Sequence, residues 1–198
     1  METPLCIDSS NPRTIVEVFG FAQKPGLINS VSLEGDKTDL IFPLIAATEW
    51  SCIALLCDND GIPRTVEKRL AIARLIIDRA KAAGISPGRL HIDPLVMALS
   101  AEGSSMTTFL KCASAIKQWE PDIHITSGLS NISYSLPQRK SINQAFLTLA
   151  MGSGMDSAIM DPLNKGMMAA MYATEALLEK DKLCLKYIRA YKKGLIQI

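Results

Sequence analysis

Short apolar runs alternate with longer segments of helical periodicity along nearly the whole chain, and this alternation limits the possible folds more than any other feature. The short runs have the length of buried strands, whereas the segments between them are long enough for helices. Strict alternation of the two indicates β/α units arranged around a parallel sheet. The six predicted strands are Pro4–Asp8, Gly26–Ser30, Ser51–Cys57, Arg89–Asp93, Asp122–Thr126 and Met155–Met160.

The segments between these runs carry apolar residues every three or four positions, which predicts amphipathic helices. The clearest is Val66–Ala83, which Thr65 can cap and Gly84 can end in a left-handed turn. Its apolar stripe consists of Leu70, Ala73, Ile77 and Ala80. The other predicted helices are Pro12–Phe21, Asp39–Glu49, Thr107–Gln118, Ser141–Gly152 and Lys165–Leu178.

Nothing in the chain resembles a linker, so we expect one domain over residues 1–198, with residues 179–198 as a Lys- and Tyr-rich helical tail. The 198 residues are enough for one sizeable core, and the net charge of +1 indicates no nucleic acid or other polyanionic partner. Five scattered cysteines favour structural thiols in a reducing compartment. The chain shows no signal peptide and no membrane span, so we expect it in the cytoplasm, with no membrane partner.

Three polar side chains directly abut apolar runs, at Asp8, Asn29 and Asp93. In parallel β/α proteins, ligands bind beyond the carboxyl ends of the strands. A single polar residue there is usually a helix cap or turn former, but every predicted strand end carries an Asp or Asn. Carboxylates accept hydrogen bonds and amides both accept and donate, so the row would suit a flat heterocycle with amino, ring N–H and carbonyl groups.

A metal site is the competing explanation for several carboxylates at strand ends. Only His91 and His124 are available as imidazole ligands, and their spacing forms no metal-binding motif. His91 lies two residues before Asp93 on the same face of its strand, which suits a core histidine better than a ligand. We therefore predict no directly bound metal. Motifs of phosphate-binding loops and of serine nucleophiles are also absent from the sequence.

Four strand-end sequences can be considered together: Leu5-Cys6-Ile7-Asp8-Ser9, Ile28-Asn29-Ser30, Ile92-Asp93-Pro94-Leu95 and Gly128-Leu129-Ser130-Asn131-Ile132-Ser133. They resemble the pterin-binding barrel of the methyltetrahydrofolate:corrinoid methyltransferases. The folate-binding module of cobalamin-dependent methionine synthase is a relative with the same fold. The segment from Gly128 to Ser133, with Gln138-Arg139 and Ile142-Asn143 after it, is the most specific part. The similarity runs from about residue 4 to residue 178.

The resemblance implies a TIM-type (β/α)8 barrel, an α/β fold, of which this chain lacks the first two β/α units. Six parallel strands would then leave two open sheet edges, near Pro4–Asp8 and Met155–Met160. Three accounts stay open: the chain starts too late, it is a degenerate fragment, or a partner covers the gap. A second copy of the chain, forming a homodimer, is one such partner.

The resemblance also implies roles for individual residues. Asp8, Asn29 and Asp93 would hydrogen-bond the pterin ring. Asn131 would lie near N5, the atom that carries the methyl group, and would be the catalytic residue. The other pterin-site residues would be Gly128, Ser130 and Arg139.

The activity implied by the family is transfer of the N5-methyl group of methyltetrahydrofolate to the Co(I) centre of a separate corrinoid protein. The corrinoid, or cobalamin, would belong to that partner. The alternative is a non-catalytic or degenerate fragment that binds a pterin without turnover. A dihydropteroate synthase-like enzyme is less favoured, because the matching segment from Ser157 to Pro162 offers no basic residue for a phosphate site.

Overall fold

The alternation of strands and helices is present in the computed structural model, which describes residues 3–196. Its five-stranded sheet is parallel, and the strands follow one another in chain order. The strands are β1 (Cys6–Asp8), β2 (Leu27–Leu33), β3 (Ser51–Asp58), β4 (Leu90–Asp93) and β5 (His124–Ile125). The helices are α1 (Pro12–Phe19), α2 (Lys37–Ala46), α3 (Val66–Ala82), α4 (Ser105–Trp119), α5 (Arg139–Gly152), α6 (Lys165–Leu177) and α7 (Leu185–Lys192). The predicted α/β class with a parallel sheet is confirmed.

Polar caps set the starts of several helices. The side chain of Asn11 accepts a hydrogen bond from the backbone N–H of Arg13 (3.0 Å), and Pro12 occupies the first turn of α1. The predicted cap of α3 is confirmed, because Thr65 Oγ1 accepts from the N–H of Lys68 (3.3 Å). Gly84 follows α3 with φ +81°, a conformation that favours glycine. Within residues 3–196, no helix has both the length and the apolar composition needed to cross a membrane.

The buried stripe of α3 differs from the predicted one by one position. The structure buries Arg69, whereas the neighbouring Leu70 is only half-buried. The other buried residues are Ile72, Ala73, Ile76, Ile77 and Ala80. Periodicity alone favours the leucine, since arginine is almost never fully buried unless its guanidinium has partners. The buried position of Arg69 therefore depends on contacts that the local sequence does not reveal.

The sixth predicted strand, Met155–Met160, is not a strand in the structure. Ile159 alone forms a parallel bridge, to Gly128, in which the N–H of Ile159 donates to Ser127 O (2.9 Å). A strand needs a continuous ladder of backbone partners, and this segment has one bridge among the described residues. Among residues 3–196, five of the six predicted strands are therefore present, and the sixth is reduced to a single bridge.

The chain divides into two compact units. The first comprises Met1–Leu95 with Ser114–Thr126, and contains the sheet, α1 to α3 and the end of α4. The second comprises Val96–Ala113 with Ser127–Ile198, and contains the start of α4 and α5 to α7. The predicted tail includes a short 3-10 helix (Lys182–Cys184) and α7, and its last two residues lie outside the described residues.

Each unit has its own apolar core. In the first unit, α2 and α3 contact the sheet and bury isoleucines and small residues against it. Trp50 packs on Phe19 of α1 in this unit, with ring centroids 5.0 Å apart. In the second unit, Phe109 of α4 meets Phe146 of α5 edge to face at 5.3 Å. Burial of these faces is the main term that stabilises each unit.

Replacing Gly26 by alanine is expected to destabilise the first unit by about 3 kcal/mol, at the upper end of single substitutions. A Cβ at this position would overlap the carbonyl oxygen of Leu5 and would lie 3.1 Å from the Trp50 ring. That carbonyl accepts from the N–H of Leu27 (2.9 Å), so the overlap forces β1 away from β2. Urea unfolding of both proteins measures the loss.

Gly20→Ala is the matched control, because no atom lies within 4 Å of a Cβ built on Gly20. Its free energy of unfolding should stay within about 0.5 kcal/mol of the unaltered protein. Equal unfolding midpoints for the two variants would contradict the proposed close approach of β1 and β2.

Candidate functional site

The sheet of the first unit has two unlike faces. Cross-strand register pairs Asp8 with Asn29, and pairs Leu55 of β3 with Asp93. Asn29 also pairs with Ile53, which lies two residues before Leu55 and hence on the same face. The opposite face is fully buried and consists of Ile28, Cys52, Ala54, Leu56, Ile92 and Ile125. The three predicted pterin residues of this unit therefore share one face of the sheet, on which Ile53 is also buried.

Asp8 and Asn29 contact each other directly at the ends of β1 and β2. Asn29 Nδ2 donates to Asp8 Oδ2 at 3.1 Å, and the backbone carbonyl of Asn29 accepts from the N–H of Ser9 (2.9 Å). Asp8 is exposed and Asn29 is half-buried. The hydrogen bond fixes the rotamer of the amide, so its carbonyl oxygen has a defined direction for a ligand donor.

Asp93 lies at the end of β4 and is only 7 % exposed. Its Oδ1 accepts from the backbone N–H of Leu95 at 2.8 Å, which closes a tight turn over Pro94. Leu95 adopts φ +65°, a left-handed conformation that is costly for a leucine. The carboxylate is therefore held by an unusual turn and not by a flexible loop.

A polar cluster that was not predicted lies just beyond Asn29. Glu34 Oε2 accepts from Ser32 Oγ (2.8 Å), from Lys37 Nζ (2.7 Å) and from the thiol of Cys57 (3.6 Å). Hydrogen bonds from Lys37 and Ser32 lower the pKa of Glu34. Burial and the Glu34 charge raise the pKa of Cys57 to about 11, so Cys57 is a thiol donor at neutral pH and not a nucleophile. The motif Ser32-Leu33-Glu34 was the available sequence signal.

His91 and His124 stack on each other on the same face as Asp93, with ring centroids 4.6 Å apart and planes 20° apart. Stacked imidazoles face each other through their rings and not through their nitrogen lone pairs. Among residues 3–196, no group of three or more His, Cys, Asp or Glu side chains is placed to hold a metal ion.

The second unit carries Asn131 on the loop that follows the Gly128–Ile159 bridge. Asn131 is exposed, and its side-chain amide makes no hydrogen bond to any residue in the described part of the chain. A Cβ on Gly128 would lie 3.4 Å from Asn131 Nδ2, so the glycine leaves room for the amide. Asn131 therefore presents an unengaged amide from a loop whose backbone is held at the bridge.

Arg139, at the start of α5, fastens this loop. Its Nη2 donates to the carbonyl of Ser130 (2.7 Å) and its Nε donates to Ser133 Oγ (3.1 Å). Ser133 is completely buried, and its hydroxyl also donates to the Ser130 carbonyl (3.3 Å). The predicted residues Gly128, Ser130, Asn131 and Arg139 are thus neighbours within the second unit. The structure gives Arg139 a role in shaping the loop, and its direct contact with a pterin stays a prediction.

The second unit also contains a cavity of about 260 Å³ between α5, α6 and the segment that follows α5. Its apolar lining is rich in methionine and includes Leu147, Met151, Met155, Met160 and Met171. None of the predicted site residues lines it.

Sequence comparison matches the chain to one family model and to individual proteins. The model of the pterin binding enzyme family matches residues 1–161. A methylcorrinoid:tetrahydrofolate methyltransferase of Eubacterium limosum is 52 % identical over 198 residues, which cover 99 % of this chain and 73 % of that protein. Methionine synthase of Mycobacterium tuberculosis is 33 % identical over 170 residues, which cover 79 % of this chain and 14 % of that protein.

Solved structures match the fold. A dihydropteroate synthase of Xanthomonas albilineans with 4-aminobenzoic acid superposes with a TM-score of 0.65 at 20 % identity, covering 90 % of this chain and 69 % of that one. A dihydropteroate synthase of Coxiella burnetii in complex with pteroic acid gives 0.64 at 16 % identity, covering 91 % and 69 %. At such low identity these structures indicate a shared fold and nothing about activity.

Proposed function

Since the chain belongs to the pterin binding enzyme family, we propose that it is a methyltransferase acting between tetrahydrofolate and a corrinoid. The observation that carries this function is the 52 % identity, over 99 % of the chain, to a methylcorrinoid:tetrahydrofolate methyltransferase. The likeness to dihydropteroate synthases is in fold only, at 20 % identity or less in the structures described above. The methyltransferase named by the sequence resemblance is therefore the function that the chain supports best.

The direction of transfer is the one point on which the name of the relative adds detail. That name gives methylcorrinoid as the donor and tetrahydrofolate as the acceptor. The sequence resemblance implied the opposite direction, from methyltetrahydrofolate to Co(I). An enzyme lowers the barrier of both directions equally, so one site serves both and the supply of substrates sets the net flow.

For the site, we propose that Asp8, Asn29 and Asp93 bind the pterin ring. Their shared face supports this role, because two carboxylates and one amide offer acceptors for the ring N–H and amino groups and one donor for the carbonyl. The Asn29–Asp8 hydrogen bond pre-orients two of the three groups before a ligand binds. Preorganised polar groups cost less ordering entropy on binding than mobile ones do.

Asn131 is proposed to act at N5. The corrinoid, supplied by a partner protein, contributes a cobalt that can accept or donate the methyl group. N5 carries positive charge when it bears a proton together with the methyl group, whether its bond to the methyl group is complete or only partial. The carbonyl oxygen of Asn131 can stabilise that charge, more strongly in the transition state than in either ground state. Its freedom from hydrogen bonds within the described chain supports this role.

The proposal also covers the barrel, the domain organisation and the setting in which the chain works. The parallel sheet corresponds to part of a (β/α)8 barrel, an assignment supported by the 69 % coverage of each dihydropteroate synthase described above. The chain acts as one domain, residues 1–198, with residues 179–198 as its tail. It works in the cytoplasm with a corrinoid protein, and a homodimer that covers the sheet edges stays a prediction.

The experiment is a methyl-transfer assay with purified chain, methylcobalamin and tetrahydrofolate, followed by the absorbance change when the corrinoid is demethylated. The reverse assay uses methyltetrahydrofolate and Co(I) cobalamin under reducing conditions. Turnover in either direction supports the enzyme. Saturable pterin binding without turnover supports the alternative of a binding module, and a folded sample with neither property overturns the proposal.

A further inference from the structure

We propose that the buried Arg69 is a positioning residue for Asp93, which it holds in place through the backbone of Pro94 and Leu95. The inference rests on the proposed function, since it takes Asp93 as a pterin ligand. Arg69 lies on α3, outside the strand ends that carry the predicted site.

The geometry is that of a clamp between two loops. Arg69 lies in the first turn of α3 and is 0 % exposed. Its Nε donates to the carbonyl of Pro63 (2.7 Å), on the connection that leads from β3 into α3. Its Nη1 donates to the carbonyls of Pro94 (2.7 Å) and Leu95 (2.6 Å), on the turn that follows β4. One guanidinium thus joins the ends of two neighbouring strands.

The turn held by Arg69 is the one that orients Asp93. Leu95 offers its carbonyl to Arg69 and its N–H to Asp93 Oδ1 (2.8 Å). The backbone of Leu95 therefore connects the guanidinium to the carboxylate. A shift of Leu95 would change the rotamer of Asp93, because the carboxylate would lose the donor that fixes it.

The backbone conformation of Leu95 also needs support from neighbouring contacts. Its φ of +65° is unfavourable for a residue with a branched side chain, and such conformations persist only where the surrounding contacts hold them. Two hydrogen bonds from a charged donor to consecutive carbonyls provide that hold, since charge-assisted hydrogen bonds are stronger than neutral ones.

Stability alone is a poor reason for this arginine. Burying a guanidinium carries a large desolvation cost, and well-packed apolar residues often stabilise a core as well or better. The apolar stripe of α3 offers such a core, with Ile72, Ala73 and Ile76 on the same side. A buried charge that instead binds the turn beside a ligand residue is better explained by the placement of that residue.

The test measures the dissociation constant of methyltetrahydrofolate by calorimetry for Arg69→Met and Arg69→Lys. Arg69→Met should weaken binding about tenfold, within the range known for residues that orient the ligands of a metal site. Arg69→Lys keeps the charge but not the planar fork of donors, so it should weaken binding about threefold. If Arg69→Met does not fold, the lysine variant decides, and unchanged binding by a folded variant overturns the inference.

Arg89→Met is the matched control. Arg89 precedes β4 and also fastens backbone carbonyls, because it donates to Trp50 O (2.9 and 2.6 Å) and to Ile45 O, before the start of β3. It should lower the melting temperature as Arg69→Met does, yet leave the dissociation constant within about twofold. If Arg89→Met weakens binding as much as Arg69→Met, loss of stability explains both and the inference falls.

A double-mutant cycle identifies the route. Asp93→Ala combined with Arg69→Met should bind no more weakly than Asp93→Ala alone, since Arg69 acts through the side chain of Asp93. Additive losses would show a different route and overturn the inference. The proposed function and the role of Arg69 fail through different results. An unaltered chain that binds no pterin refutes both. Normal binding by the Arg69 variants refutes only the role of Arg69.

Discussion

Asp93→Asn is expected to weaken the binding of methyltetrahydrofolate about a hundredfold, with little change in fold stability. Asp93 is nearly buried, and hydrogen bonds to a charged group contribute about 1.5–3 kcal/mol each, so weakening two of them gives a loss of this size. The amide oxygen of asparagine can still accept from the N–H of Leu95, so the turn should persist. Calorimetric titration gives the dissociation constant, and thermal melting shows that the variant is folded.

Asp58→Asn is the matched control for this prediction. Asp58 ends β3, and its Oδ1 accepts from the N–H of Asp60 at 2.9 Å, as Asp93 accepts from Leu95 at 2.8 Å. The two aspartates thus share a local turn geometry but differ in their predicted role. We expect the Asp58 variant to bind within about twofold of the unaltered chain. Equal losses at both positions would mean that Asp93 contributes only to its turn.

Asn131→Ala is expected to lower the rate of methyl transfer about a hundredfold or more, while the dissociation constant of the pterin changes less than about threefold. Removing one preorganised group that stabilises transition-state charge typically costs this much in kcat. The side chain is exposed and makes no hydrogen bond within the described chain, so its loss should not disturb the fold. Single-turnover rates and a binding titration separate the two quantities.

Asn131→Asp sharpens this second prediction. The variant keeps one carbonyl-type oxygen and adds negative charge, so it should retain more activity than alanine if Asn131 stabilises a positive N5 through its oxygen. If the N–H groups of the amide were the active ones, aspartate would lose as much as alanine. Equal losses of binding and of rate in Asn131→Ala would argue against any role at N5.

The elements of this fold were largely predictable because their signals are local. Caps such as Thr65, the stop at Gly84 and the alternation of apolar runs depend on neighbouring residues, and the structure has the predicted helices with shifts of a few residues at their ends. Alternation along each strand is also local, but Asp8, Asn29 and Asp93 share one face only because of the register between the strands. The roles of these residues toward a pterin stay proposals.

The predicted strand that did not form and the polar cluster that was not predicted have a common cause. Met155–Met160 has the composition of a strand, but a strand forms only where a neighbour supplies a ladder, and here that neighbour supplies one bridge. The cluster around Glu34 joins residues from β2, α2 and β3, and its effect on the pKa of Cys57 depends on that meeting. The contact between Cys57 and Glu34 joins residues 23 positions apart, so no short window of the sequence contains both partners.

The sequence by itself determined the row of polar strand ends, because position relative to an apolar run is a local property that the chain carries with it. Only the tertiary structure decided what holds that row in place. Arg69 looks like a surface residue in its helix, yet it is buried against carbonyls 25 and 26 residues further along the chain. Contacts over such separations depend on how the strands and helices pack, and packing is what turns a recurring Asp or Asn into a fixed and oriented binding group.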